Sequence, residues 1–118
     1  MKRGYKWKSE HPIYRQLMDL LVAGILDKSY PEGTMLPSIR TLAERYDVNA
    51  ITAAKACREL QREGIVEAVR GEGLAIIHGA RSSVLKRERT RFLKEEWPEL
   101  KSRMARLEVD LRTLLATD

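Results

Sequence analysis

Apolar residues first settle into a repeating pattern at HPIYRQLMDLLVAGILDKSY, where Ile13, Leu17, Leu20, Leu21 and Ile25 recur at three- and four-residue steps. That spacing lays them on one face of a helix. Pro12 suits the first turn of such a helix, where no backbone donor is needed. PEGTMLPS then reads as a loop: Pro31 and Gly33 punctuate it, Pro37 excludes helix just before Ser38, and Ser38 is a good N-cap. A short helix, IRTLAERY, follows with Ile39, Leu42, Ala43 and Tyr46 facing inward. Asp47-Val48-Asn49 makes a tight turn, Asn49 can cap the next helix, and that helix runs to about Glu63 before Gly64 takes its left-handed C′ position. Two helices joined by so short a turn form a helix-turn-helix.

The period then switches. Ile65, Val66 and Val69 precede Gly71-Glu72-Gly73, and Leu74, Ala75, Ile76 and Ile77 follow, so two β-prone runs meet at a glycine-rich turn. A hairpin directly after a helix-turn-helix is a wing. Beyond Arg81 the chain is helical again, with Ser82 or Ser83 as caps, six basic residues from Arg81 to Lys94, and Pro98 at a new first turn or kink. Leu93, Trp97, Leu100, Met104, Leu107, Leu111 and Leu114 are spaced 4, 3, 4, 3, 4, 3, a heptad seam held for about three heptads. Such a stripe cannot bury itself. It predicts a dimer through the tail, with an intrachain helical cap as the alternative.

These elements define a mainly α fold with a small β wing: a basic arm over residues 1–11, a winged helix-turn-helix over 12–79, and a two-helix dimerisation tail over 80–118. The arm carries four basic side chains and two aromatics without periodicity, and reads equally as a phosphate-touching arm or a frayed terminus.

Charge strengthens one class of partner. The 118 residues carry 22 Lys and Arg against 17 Asp and Glu, a net charge of +5, which favours a polyanion. The single cysteine, Cys57, permits no internal disulfide and fits a reducing compartment. It falls on the helix face of Ala53, Ala56 and Leu60, as a small core residue does. No signal-peptide pattern and no apolar run of about eighteen residues is present, so a soluble cytoplasmic protein is expected. His11 and His78 lie far apart and no Cys, His or carboxylate cluster has metal-ligand spacing, so neither catalysis, a metal nor a cofactor is expected. Phe92 and Trp97 could line a pocket for a small-molecule effector, with packing as the alternative.

LPSIRTLA, DVN, REL, EGIV and GEG, in that order and spacing, resemble the GntR-type winged helix-turn-helix, and PIYRQL fits the start of its first helix. The resemblance runs from Pro12 to Ile77, and the short helical remainder is similar to the YtrA-type subgroup, whose tail mediates dimerisation. It implies a homodimeric transcriptional regulator, a repressor of a nearby operon such as one for an ABC transporter, on a pseudo-palindromic double-stranded operator. The alternatives are a winged-helix interaction module or a plasmid or phage replication or partition protein.

By the same resemblance, Ser38 and Arg40 at the start of the first motif helix, and Asn49 and Thr52 around the recognition-helix start, are DNA-binding positions. So are Arg70, Gly71 and Gly73 of the wing, where relatives enter the minor groove. Capping, an Arg40–Glu44 pair and a plain hairpin turn are the respective structural alternatives. Departures stand at Ala50, where relatives carry Arg or Pro, at Ile51 for Thr or Asn, and at Ala54 for Arg or Gln. Ala50 and Ile51 can meet a thymine methyl group, while Lys55 reaches phosphate or a guanine edge and Arg58 contacts backbone or a neighbouring Glu.

Overall fold

The computed structural model describes residues 7, 8 and 10–116 and divides the chain into two compact units, Met1–Val84 and Leu85–Asp118. In the first unit, α1 (Ile13–Leu26), α2 (Ile39–Tyr46) and α3 (Ala50–Arg62) precede a hairpin of β1 (Val66–Val69) and β2 (Gly73–Ile76). The strands are antiparallel, pairing Val66 with Ile76 and Val69 with Gly73. Helix α4 (Ala80–Arg91) closes this unit and continues into the second.

Leu17, Leu21 and Ile25 of α1 are buried as their spacing requires, together with Met18 and Val22. They meet Leu42 and Tyr46 of α2, Ala53, Ala56, Cys57 and Leu60 of α3, and Val66 and Ile76 of the wing. Four apolar positions depart from full burial on the predicted faces, Ala43 being half-buried like Leu20. Ile13 and Ile39 are 41% and 37% exposed, because each is the first residue of its helix and lies beyond the packed turns. Leu20 is half-buried at the edge of the α1 stripe.

Residues 31–38 are more than a loop. Gly33 N–H donates to Ile76 O at 2.7 Å, Ile76 N–H to Thr34 O at 2.9 Å, and Leu36 N–H to Leu74 O at 2.7 Å. Met35 bridges Ala75, so this segment lines the free edge of β2 like a short third strand. Pairing with a strand some forty residues away leaves no local pattern in the sequence.

Helix α4 begins at Ala80, so neither Ser82 nor Ser83 is its cap. The capping oxygen comes from across the fold: Glu32 Oε2 accepts Arg81 N–H at 2.9 Å, while the Arg81 Nε donates to Leu26 O at 2.9 Å. Backbone N–H groups of Gly79 and Arg81 hold the Glu32 carboxyl below its usual range. Ala80 and Val84 belong to the core, which is why the first unit extends to Val84 instead of ending near residue 79.

The second unit departs from a continuous seam. A π-helical turn at Phe92–Glu96 interrupts the helix, and α5 (Trp97–Arg106) starts with Pro98 in its first turn. The extra residue of a π turn shifts the heptad register. Helix α5 then ends in a Schellman motif, with Glu108 N–H on Ala105 O at 3.1 Å and Val109 N–H on Met104 O at 2.9 Å. Glu108 holds the left-handed position, φ 54°, and Asp110 caps a further helix, α6 (Leu111–Ala116), accepting Arg112 N–H at 2.7 Å. Leu107 and Leu111 therefore sit on opposite sides of a turn, not along one helix.

Candidate nucleic-acid interface

Helix α3 can present a surface because its inner face is so small. Ala53, Ala56 and Cys57 are buried and let it approach α1 and α2 closely, and burial pushes the Cys57 thiol up, away from reactive thiolate. The opposite face carries Ile51, Lys55, Arg58 and Arg62, one stripe at helical spacing. Ile51 is 80% exposed, an unusual cost for a large apolar side chain.

The turn before α3 is built by local capping. Asp47 adopts the left-handed conformation at φ 55°, and Asn49 Oδ1 accepts Thr52 N–H at 2.7 Å. Asn49 is thus committed through its oxygen, and the residue is exposed. Ser38 caps α2 in the same way, accepting Thr41 N–H at 3.1 Å and donating to Thr41 Oγ1 at 3.0 Å. Arg40 forms the Glu44 pair at 3.8 Å, but the two side chains are 89% and 71% exposed. So open an i, i+4 pair stabilises by only about 0.3–0.5 kcal/mol and yields readily to a phosphate.

At the wing tip Glu72 N–H bonds Val69 O at 2.9 Å, with Gly71 at φ 79° in the third position of the turn. That conformation requires glycine, and Gly73 at φ 126° follows it, so the hairpin itself accounts for both. Arg70, just before Gly71, and Glu72, between the two glycines, are exposed at the tip.

Lys55 does not project freely. Its Nζ lies 4.3 Å from the centroid of the Tyr14 ring on α1. Two residues absent from the sequence-derived set matter here. Tyr14 holds Lys55, and Gln16 clamps the N-terminal segment: its Oε1 accepts Lys8 N–H at 2.8 Å, and its Nε2 donates to Lys8 O at 2.7 Å and His11 O at 2.9 Å. Lys8 is therefore not part of a frayed end. The rest of the proposed basic arm lies largely outside the described residues. Arg62 was legible from its spacing to Lys55, but it pairs with Glu59 at 3.4 Å.

A three-helix core with an antiparallel wing and an outward, basic second motif helix defines a winged helix-turn-helix of the DNA-binding type. The model of the gntR family of bacterial regulatory proteins matches residues 13–76, and the chain belongs to that family. The HTH-type transcriptional repressor YtrA of Bacillus subtilis is 36% identical over 93 residues, covering 79% of this chain and 71% of that protein. Other regulators are matched over as little as 14% of their own length. Among solved structures, a GntR family transcriptional regulator from Listeria monocytogenes has TM-score 0.72 at 24% identity over 93% of this chain and 95% of that one, a likeness of fold. The DNA-binding domain of AraR in complex with operator ORX1 has TM-score 0.55 at 22% identity over 64% of this chain and 94% of that one. The family is one of regulators, not enzymes.

Proposed function

We propose that the protein is a homodimeric repressor that binds a pseudo-palindromic operator beside the genes it controls, such as an operon for an ABC transporter, in the cytoplasm. The observation that carries the reading is the exposed Ile51–Lys55–Arg58 stripe on α3, which uncovers an apolar side chain where only a ligand surface would give it shelter. Helix α3 enters the major groove, its first turn docking through Asn49, Ala50 and Thr52. Arg40 and Arg70 supply the strongest polar contacts, Arg70 with Gly71 and Gly73 at a narrow minor groove. Two such domains place half-sites about one helical turn apart. Dimerisation runs through the tail, where Leu93, Leu100, Leu107, Leu111 and Leu114 are all exposed, with Trp97 and Met104 half-buried beside them. No helix among the described residues is long and apolar enough to cross a membrane.

The test is a mobility-shift titration on operator fragments recovered by genome-wide mapping. Arg40→Ala and Arg70→Ala each lose affinity while remaining folded dimers; unchanged binding by both overturns the contact assignment. Leu107→Glu with Leu111→Glu yields monomers by light scattering, and a surviving dimer means the tail is not the interface.

A second reading is favoured by Ala50 and Ile51 standing where long polar arms would read bases. A winged-helix interaction module that does not read sequence would enrich no motif in a selection from random DNA. A repressor enriches one.

A further inference from the structure

Not one side chain from Leu85 to Ala116 is buried, although this segment is helical almost throughout. Short helices without a packed face are marginal in water. The π turn brings Phe92, not Leu93, beside Leu100; Phe92 is 42% exposed, Leu100 44% and Leu107, at the end of α5, 63%, so this apolar side lacks its cover.

The charges beside that apolar side are sorted by position. Before Leu100 stand Glu95, Glu96 and Glu99 against one cation, Lys94; after it stand Lys101, Arg103 and Arg106 against one anion, Glu108. One surface groove is lined by Phe92, Glu95, Glu96, Glu99, Leu100 and Arg103, which sets the acidic block and a basic residue on a shared face with the apolar contacts. Among the described residues, none of these acidic or basic side chains takes part in an ion pair. Just upstream, Arg87 and Arg91 both pair with Glu88, Arg91 at 2.5 Å. Among the described residues, the charges on either side of Leu100 are unspent within the chain.

Two copies lying in the same direction would stack acid on acid and base on base. Reversing one copy sets each acidic block against a basic one, twice over, as a two-fold axis requires. We infer that the tail pairs with a second copy in antiparallel orientation about a two-fold axis near Leu100, and that the charge blocks flanking Leu100 select this orientation. The inference rests on the homodimer proposed above and adds its geometry. Phe92 then faces Leu107 of the second copy, sealing each end of the contact, and Glu96 comes against Arg103 of the second copy. Like-charge juxtaposition excludes the parallel alternative.

Two experiments on the full chain test it. The triple reversal Glu95→Lys, Glu96→Lys, Glu99→Lys weakens the dimer roughly tenfold or more in sedimentation equilibrium. Adding Lys101→Glu, Arg103→Glu and Arg106→Glu restores it. By native mass spectrometry, that block-swapped chain pairs with itself and rejects the wild type. Predominant or statistical mixing with wild type overturns the inference. Independently, Phe92→Cys and Leu107→Cys cross-link when mixed and not alone; self-cross-linking of each alone means a parallel pair and also overturns it. A monomeric wild type would instead remove the homodimer reading itself, whereas a wild-type dimer insensitive to both sets of variants removes only the orientation.

Discussion

The ammonium group of Lys55 rests 4.3 Å from the centre of the Tyr14 ring, so the first basic side chain on α3 is held by α1. An exposed cation–π contact stabilises by about 0.5–1 kcal/mol. A phosphate must displace it. Tyr14→Leu therefore raises operator affinity by roughly two- to fivefold in a mobility shift, converting that energy at RT. Lys55→Ala lowers affinity and flattens the slope of log K against log salt by about 0.9. An unchanged slope would show that Lys55 never leaves the ring.

Ile51 has its own signature. At 80% exposed it contributes little to packing, so Ile51→Ala changes stability within about 0.5 kcal/mol in urea unfolding. Binding-site selection should nevertheless show weaker preference at one thymine per half-site, because a methyl–methyl contact has been removed. A preserved motif would assign Ile51 no part in reading.

Gly24 illustrates a helix position where alanine is the worse choice. A Cβ there would lie 2.5 Å from Tyr30 Cδ2, and the Tyr30 hydroxyl in turn meets Tyr46 Oη at 3.0 Å and Arg45 at 3.1 Å. Gly→Ala inside a helix ordinarily stabilises by about 1 kcal/mol. Here Gly24→Ala lowers the melting temperature, and the same change in a Tyr30→Ala background raises it. Equal effects in both backgrounds would mean the ring simply moves aside.

Glu32 gives the fold an acid-sensitive joint. Its carboxyl is lowered from the ordinary 4.5 chiefly by the Gly79 and Arg81 N–H groups, so the folded state binds its proton less readily than the unfolded chain. Its contribution is complete above pH 4.5 and drains away as pH falls from there through the lowered value. Glu32→Gln should reduce stability at neutral pH in urea titrations and lose part of the decline on acidification. An unaltered pH profile would show that the cap does not hold α4.

Local chemistry made much of the domain legible. The spacing of Leu17, Leu21 and Ile25 on α1, the caps at Ser38 and Asn49, the stop at Gly64 and the glycines of the wing all act within a few residues of themselves. The candidate DNA-facing positions Arg40, Ile51 and Arg70 were likewise readable, being exposed residues on elements already placed. Ser38 was read both as a cap and as a contact, and the cap is formed. The continuous heptad seam was not met: a π turn and a Schellman motif break it, and a glutamate, Glu108, takes a conformation usually left to glycine.

Sequence by itself therefore determined the three helices before the wing, the wing and their order, because periodicity and capping are properties of neighbouring residues. Only the tertiary structure decided which distant partners finish those elements. Glu32 caps α4, residues 33–36 edge β2, Tyr30 covers Gly24 and Tyr14 holds Lys55. Each joins groups brought together by packing of the whole core, and no local pattern encodes such a meeting.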